Sequence, residues 1–538
     1  MSRKLFDRKI AGLFFITFAA HGMMFLMDGI YWDDYLLFDH DSNKVAIWLQ
    51  ELGIVGAVPA FFHWGIKQLF GTYFIFGYRL MAFLCICGTG LIVFQLLQVF
   101  KKFNQTNNFL VAAFVATYPA VKVLFIGGIL HYQYCLLSYL LAVYIAFTKV
   151  FDDSAGRTLS RLWWRLGSLL LCVVSFTMNS ILSFYFGFII LMFLFNKDEG
   201  PVLKRIRRFM MKKGDYLALP FVFFITEKIF FPARGIYEGY NGISFGALTR
   251  IFELLLINIY WFTKPLFGLA RRATLLLTAF FLLYVLVLIG VRFKQWIRLK
   301  KLPQDYGPLF FSLFLMFLGA LPYAAVGKAA DSSYASRHLL LAGISTGLLL
   351  MSVADLSVGL KIISSKVKNI IFAAVIALFC FVDMGNYIHW QFRWIRDRSV
   401  ILQLAENPEL KKYSTFLIED KACCQNEKNI YYDYRFYEWA SLFKMVWHGE
   451  KWVGYSLESP SPEQMRDKRY LTARYNLAEY NPKGRKAVLS LRGAGGDGCF
   501  GNAAKVLKVF EYFYIKFFDR VRMDSFLNGI VQIKISPV

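Results

Sequence analysis

Apolar segments the length of a membrane crossing recur along most of this chain, and they limit its possible folds more than any motif does. They fall near 10–27, 78–100, 109–126, 132–148, 166–179, 181–195, 216–231, 272–291, 308–326, 339–356 and 370–385. A helix needs about 17–25 apolar residues to cross a hydrocarbon core roughly 30 Å thick, so the pattern predicts about eleven crossings. Where no water reaches the backbone, its N–H and C=O groups must bond within the segment, which leaves helices as the form. The fifth and sixth segments are short and meet at Met178-Asn179-Ser180, where one bent helix and a hairpin both fit. Segment 10–27 ends without a small-residue cleavage pattern and is read as a retained helix. With 57% hydrophobic residues and 18% aromatics over 538 positions, ordinary soluble domains are excluded.

Lysines and arginines set the orientation, because loops on the cytoplasmic side retain positive charge. Alternate loops are basic: Arg3, Lys4, Arg8 and Lys9; Lys101 and Lys102; Arg157, Arg161 and Arg165; then dense clusters at 204–213, 292–301 and 361–368. These are expected to face the cytoplasm, N-terminus included. The net charge of +25 is therefore a topology signal and an attraction to anionic headgroups. Nucleic acid is not an expected partner, since the cations are dispersed among loops rather than gathered on one face. The opposite side receives 28–73, 119–130, 232–272, 327–338 and 386–538. The one sequon, Asn104-Gln105-Thr106, lies in a cytoplasmic loop, which tilts the location toward a bacterial inner membrane.

The first outer loop opens with Asp28-Gly29-Ile30-Tyr31-Trp32-Asp33-Asp34-Tyr35. Adjacent acids are costly so near hydrocarbon, which makes them a functional-site candidate. Partial desolvation beside Tyr31 and Trp32 raises a carboxyl toward the range of a general base. The same pair could instead cap the helix that follows. Other outer loops supply a complement. Arg337 and His338 stand at the start of a span, where a cation can clamp a phosphate. After the seventh span come Arg234, Tyr237, Tyr240 and Asn241, a cation with aromatics and an amide that suit a sugar ring. A snorkelling arginine and an interfacial aromatic belt are the plain alternatives. Lys122, Arg79 and His131 are lesser candidates at the same surface. Between these, 43–70 carries apolar residues at helical spacing, broken by Gly53, Gly56 and Pro59, and is read as short interfacial helices.

From 386 onward the chain becomes more charged and alternating, with strand-like runs at 414–418, 487–491, 506–517 and 530–535. A small extracytoplasmic α/β domain over 386–538 is expected, following a membrane domain over 1–385. Cys85, Cys87, Cys135, Cys172 and Cys380 fall in spans and read as small core residues. Outside the cytoplasm, Cys423 or Cys424 could bridge to Cys499; no suitably spaced histidines accompany them for zinc. The run 493–498 is glycine-rich but lacks the Gly-Lys-Ser/Thr ending of a phosphate loop, and is read as a turn. The aromatic and charged run 434–439 could meet a glycan or form a buried helix face.

A short basic N-terminus, one span, Trp32-Asp33-Asp34-Tyr35 in the first outer loop, interfacial helices, many further spans and an outer C-terminal domain together resemble the GT-C glycosyltransferases. The likeness is greatest to bacterial enzymes that use polyprenyl-phosphate sugars, including those that modify the O-antigen of lipopolysaccharide. It implies a hexosyltransferase that moves a sugar from a polyprenyl-phosphate donor to an envelope glycan or lipid-linked acceptor. By match of the acid pair, it implies Asp33 as general base with Asp34 beside it; the loop residues read above then place Trp32 near the sugar, and Arg337, His338, Arg234, Lys122 and Arg79 toward the donor phosphate. No cofactor is implied; many members carry a second acid where 119–130 has none, which counts against a divalent metal site. An O-antigen polymerase or ligase is the alternative enzyme, and a transporter or flippase the alternative class, although no internal repeat of the kind common in transporters is visible.

Overall fold

A computed structural model describes residues 3–39, 53–151, 158–195, 201–232, 234, 242, 245–257, 260, 306–331, 334–421, 434–456, 477, 479–493 and 500–538. Among them, seven helical stretches are long and apolar enough to cross a membrane, and the chain is a helical membrane protein. The first predicted span is helix α1 (Arg3–His21), continued by a 3₁₀ turn, Gly22–Leu26. A short helix α2 (Asp34–Asp39) follows the acid motif. Helix α3 (Ile54–Phe70) then leads to α4 (Phe74–Phe100). Gly56 and Pro59 lie inside α3 and do not break it, contrary to expectation. The helix begins just after Gly53, with φ +73, where a Cβ would stand 2.2 Å from the carbonyl oxygen of Phe231. Residues 40–52 lie outside the described part.

The predicted span 109–126 is not one crossing. Helix α5 (Gln105–Ala116) has 12 residues and stops short of Pro119, so 117–126 runs as irregular backbone. That segment is almost wholly buried in the bundle, and other elements answer its carbonyls. Asn386 Nδ2 and Trp390 Nε1 donate to Lys122 O at 2.9 and 3.0 Å, Gln133 donates to Leu124 O, and Arg79 donates to Phe125 O. Enclosure in protein is what permits non-helical backbone near a membrane.

Beyond it come α6 (Leu130–Ile145), α7 (Thr158–Phe176) and α8 (Ser180–Leu194), the last two separate helices rather than one bent rod. Helix α9 (Val202–Phe230) joins the basic run to the predicted span 216–231, with non-helical φ and ψ at Lys213. Its charges keep it out of the apolar set, and 272–291 lies outside the described residues. The remaining crossings are α10 (Tyr306–Ala325), α11 (Ala342–Gly359) and α12 (Ser365–Glu406). Cys85, Cys135 and Cys172 are buried in the bundle.

Helix α12 sets the architecture. Its 42 residues rise about 60 Å, twice the hydrocarbon thickness. Phe381, Val382 and Met384 are exposed, whereas 387–400 is buried almost throughout, so the helix leaves lipid and enters a second layer of protein. In that layer a four-stranded sheet has the order β2-β1-β3-β4, with β1 (Thr415–Asp420) parallel to β2 (Val453–Ser456) and to β3 (Lys486–Gly493), and β4 (Val531–Pro537) antiparallel to β3. Thr415 is level with Val453 on one side and Lys486 on the other. Helix α13 (Phe436–Trp447) packs on it, its Phe443 ring 4.8 Å from Phe416. The run 506–517, expected to be a strand, is instead part of helix α14 (Asn502–Phe518). Aromatics occupy both of its faces, which imitates alternation, yet Val509, Tyr512 and Phe513 bury at helical spacing. A short α15 (Met523–Asn528) precedes β4.

Candidate functional site

The acid motif is held where one end of the helical bundle meets the second layer. Tyr31 is buried, its hydroxyl donating to Trp390 O at 2.9 Å. Trp32 takes φ +50, a left-handed conformation that a bulky residue rarely adopts and that neighbouring contacts must hold. Its N–H donates to Glu438 Oε1 at 3.0 Å. Its indole stacks on Tyr334 at 4.5 Å with 15° between planes, and the Arg337 guanidinium lies 5.0 Å from its ring centre. Arg337 also donates to Tyr334 O at 2.9 Å. Trp32 and Arg337, named from separate loops, are thus brought together.

The two acids differ in setting. Asp34 is fully buried, accepts from Gly128 N–H at 3.1 Å and lies 3.9 Å from Arg79 Nη2. Burial pushes its carboxyl up to about 7, against a smaller opposing pull from Arg79 and the Gly128 amide. Asp33 is half-buried, and its Oδ1 accepts from the Tyr437 hydroxyl at 3.0 Å. Gly127 and Gly128 let the next segment close on both. A Cβ on Gly127 would lie 2.9 Å from Asp34 Oδ1, and one on Gly128 would lie 3.2 Å from Asp33 Cβ. Asp33 is therefore the less buried of the two acids, and Asp34 the fully buried one beside it.

Arg79 does not face a donor phosphate as expected. It is fully buried and donates to Phe125 O and, at 2.8 Å, to Gly29 O, so it ties the acid loop to the 117–126 segment. His338 is buried against Tyr323, ring centres 4.3 Å apart, and burial together with Arg337 and Lys328 pushes it down to about 3. It is neutral at ordinary pH and adds no charge. Lys328, not singled out in the sequence, lies within electrostatic reach of Arg337 and His338, and burial lowers it to about 8. Lys122 belongs to the same corner: its N–H donates to Ser336 Oγ at 3.3 Å. Arg234 is exposed beyond the end of α9, and among the described contacts nothing brings it to Asp33. Tyr237, Tyr240, Asn241, Cys423, Cys424 and Cys499 lie outside the described residues.

The second layer supplies what the sequence reading missed. Glu438 is fully buried and paired with Arg393 of α12, whose Nη1 also donates to the Tyr334 hydroxyl at 2.9 Å. Asp397, one turn on, accepts from Tyr35 at 3.2 Å and from Tyr434. The run 434–439 thus meets the acid loop directly, and its aromatic density was the only signal available for it. Among the described residues, no three His, Cys, Asp or Glu side chains gather as metal ligands. Compared with known protein families, curated proteins and solved structures, the chain matches none.

Proposed function

We propose that the chain is a GT-C-type glycosyltransferase of a bacterial inner membrane that moves a sugar from a polyprenyl-phosphate donor to an envelope glycan or lipid-linked acceptor on the outer side. The cytoplasmic N-terminus and an extracytoplasmic α/β domain over 386–538 belong to this reading. One observation carries it: a half-buried acid, Asp33, accepts a hydrogen bond from Tyr437 next to a Trp32 ring that carries Arg337. Asp33 takes the proton of an acceptor hydroxyl. That oxygen forms its bond to the anomeric carbon as the carbon–phosphate oxygen bond breaks, and the electron pair leaves with polyprenyl phosphate. Arg337, with Lys328 and Lys122 in the same corner, offsets the charge that develops on the departing phosphate. Stabilisation of that kind is commonly the largest catalytic contribution.

The test gives purified protein a panel of polyprenyl-phosphate monosaccharides and a crude lipid-linked glycan acceptor. Release of polyprenyl phosphate is expected from wild type. Asp33→Asn should lower it by about 10²–10⁴-fold, the usual contribution of a general base, with membrane insertion unchanged. Equal turnover by both proteins would reject Asp33 as the base, and loss on Arg337→Ala alone would favour a polymerase or ligase.

A further inference from the structure

Helix α14 has a face that stands exposed, with nothing among the described residues shown to cover it. Leu507, Phe510, Tyr514, Phe517 and Phe518 are all exposed, Leu507 at 70% and Phe518 at 78%, and Val521 just beyond the helix is 95% exposed. At 3.6 residues per turn, those five helical positions fall within an arc of about 100°, a single apolar stripe. The opposite face is committed to the protein, with Val509, Tyr512 and Phe513 buried. Large exposed apolar patches mark a partner or a membrane.

The other contacts of α14 give the height of that stripe. Tyr512 Oη donates to Asp28 Oδ2 at 2.8 Å and Lys516 Nζ lies 2.9 Å from the same oxygen. Asp28 comes two residues after Leu26, which is exposed at the outer end of the first crossing. Gln391 of α12 donates to the other oxygen of Asp28 at 3.1 Å. It is seven residues, a rise of about 10 Å, past Met384, the last exposed apolar residue of that crossing. The helix is therefore pinned within about 10 Å of the level where the two crossings lose their exposed apolar residues. Arg520 and Arg522, both exposed, flank Val521 and supply charge that suits anionic headgroups.

We propose that α14 lies on the outer leaflet, its Leu507–Phe510–Tyr514–Phe517–Phe518 face sunk among the acyl chains and Arg520 and Arg522 at the anionic headgroups. Interfacial helices of this build bury their apolar face about 5–10 Å into the boundary between headgroups and acyl chains. The C-terminal layer is then anchored to the bilayer twice, through α12 and through α14. The choice of the outer leaflet rests on the orientation proposed above, but neither the donor nor the acceptor enters this inference.

Photocrosslinking tests it on the full-length protein in vesicles of phosphatidylethanolamine and phosphatidylglycerol. p-Benzoylphenylalanine replaces Phe510 in one variant and Phe517 in another, both exposed ring-for-ring exchanges that leave the core untouched. Mass spectrometry of the irradiated α14 peptide is expected to find lipid adducts at both positions. A crosslinked dimer at either position would assign the face to a second copy of the chain and overturn the proposal. So would protein that incorporates the probe and inserts normally but yields no lipid adduct at either position.

Discussion

Asp34 and Asp33 are neighbours in the chain with opposite consequences for titration. Burial raises Asp34 to about 7 from an ordinary 3.8, so between those values the folded protein holds a proton that the unfolded chain releases. Its contribution to stability is complete below 3.8 and is lost as pH rises through about 7. The thermal midpoint of the protein in detergent should fall across that window, and Asp34→Asn should flatten the slope. At Asp33 the leverage comes from Tyr437, whose hydroxyl donates to the carboxylate. A hydrogen bond to a charged group favours the ionised form, so Tyr437→Phe is expected to lower turnover chiefly on the acid side of the rate profile. Because the lost donor favoured the ionised form, the acid limb of the rate profile should also move to higher pH. A merely structural role for Tyr437 would leave that limb in place.

Among the elements, the short 127–128 turn matters as much as any helix. It brings the start of α6 against the acid loop at distances only glycine permits, 2.9 Å from the Gly127 Cβ position to Asp34 Oδ1. Gly127→Ala must displace either Asp34 or the turn. A misplacement near 1 Å can cost about 10²-fold in rate, so transfer should fall by that order while expression and membrane insertion persist. Side-by-side turnover and membrane-fraction yield would check it. The buried 117–126 segment shows the same dependence on its surroundings. Its sequence reads as the end of an apolar span, yet its carbonyls are satisfied by Arg79, Gln133, Asn386 and Trp390 from three other helices, and no local signal could announce that.

Over the whole molecule, the C-terminal layer and the membrane bundle are joined through fully buried charge. Removing Glu438 would take the nearer of two carboxylates from the buried Arg393 guanidinium and leave Asp397 at 4.0 Å. Breaking such a pair typically costs about 3–5 kcal/mol, so Glu438→Ala should show a large loss in denaturant-induced unfolding of the solubilised protein. It should also release the Trp32 backbone, which Glu438 holds in its left-handed conformation. Composition and the spacing of apolar residues by themselves determined that this chain is a helical membrane protein, because burial in lipid demands long apolar helices whatever their neighbours are. They also marked Trp32-Asp33-Asp34 as unusual, since acids beside hydrocarbon carry a local cost. Only the tertiary structure decided which acid is fully buried and which is only partly so. The same holds for Arg79 as a brace and for 506–517 as a helix. The physical reason is distance along the chain: Tyr437 reaches Asp33 across 404 positions, and a contact of that separation leaves no periodicity, spacing or propensity in the sequence around either residue.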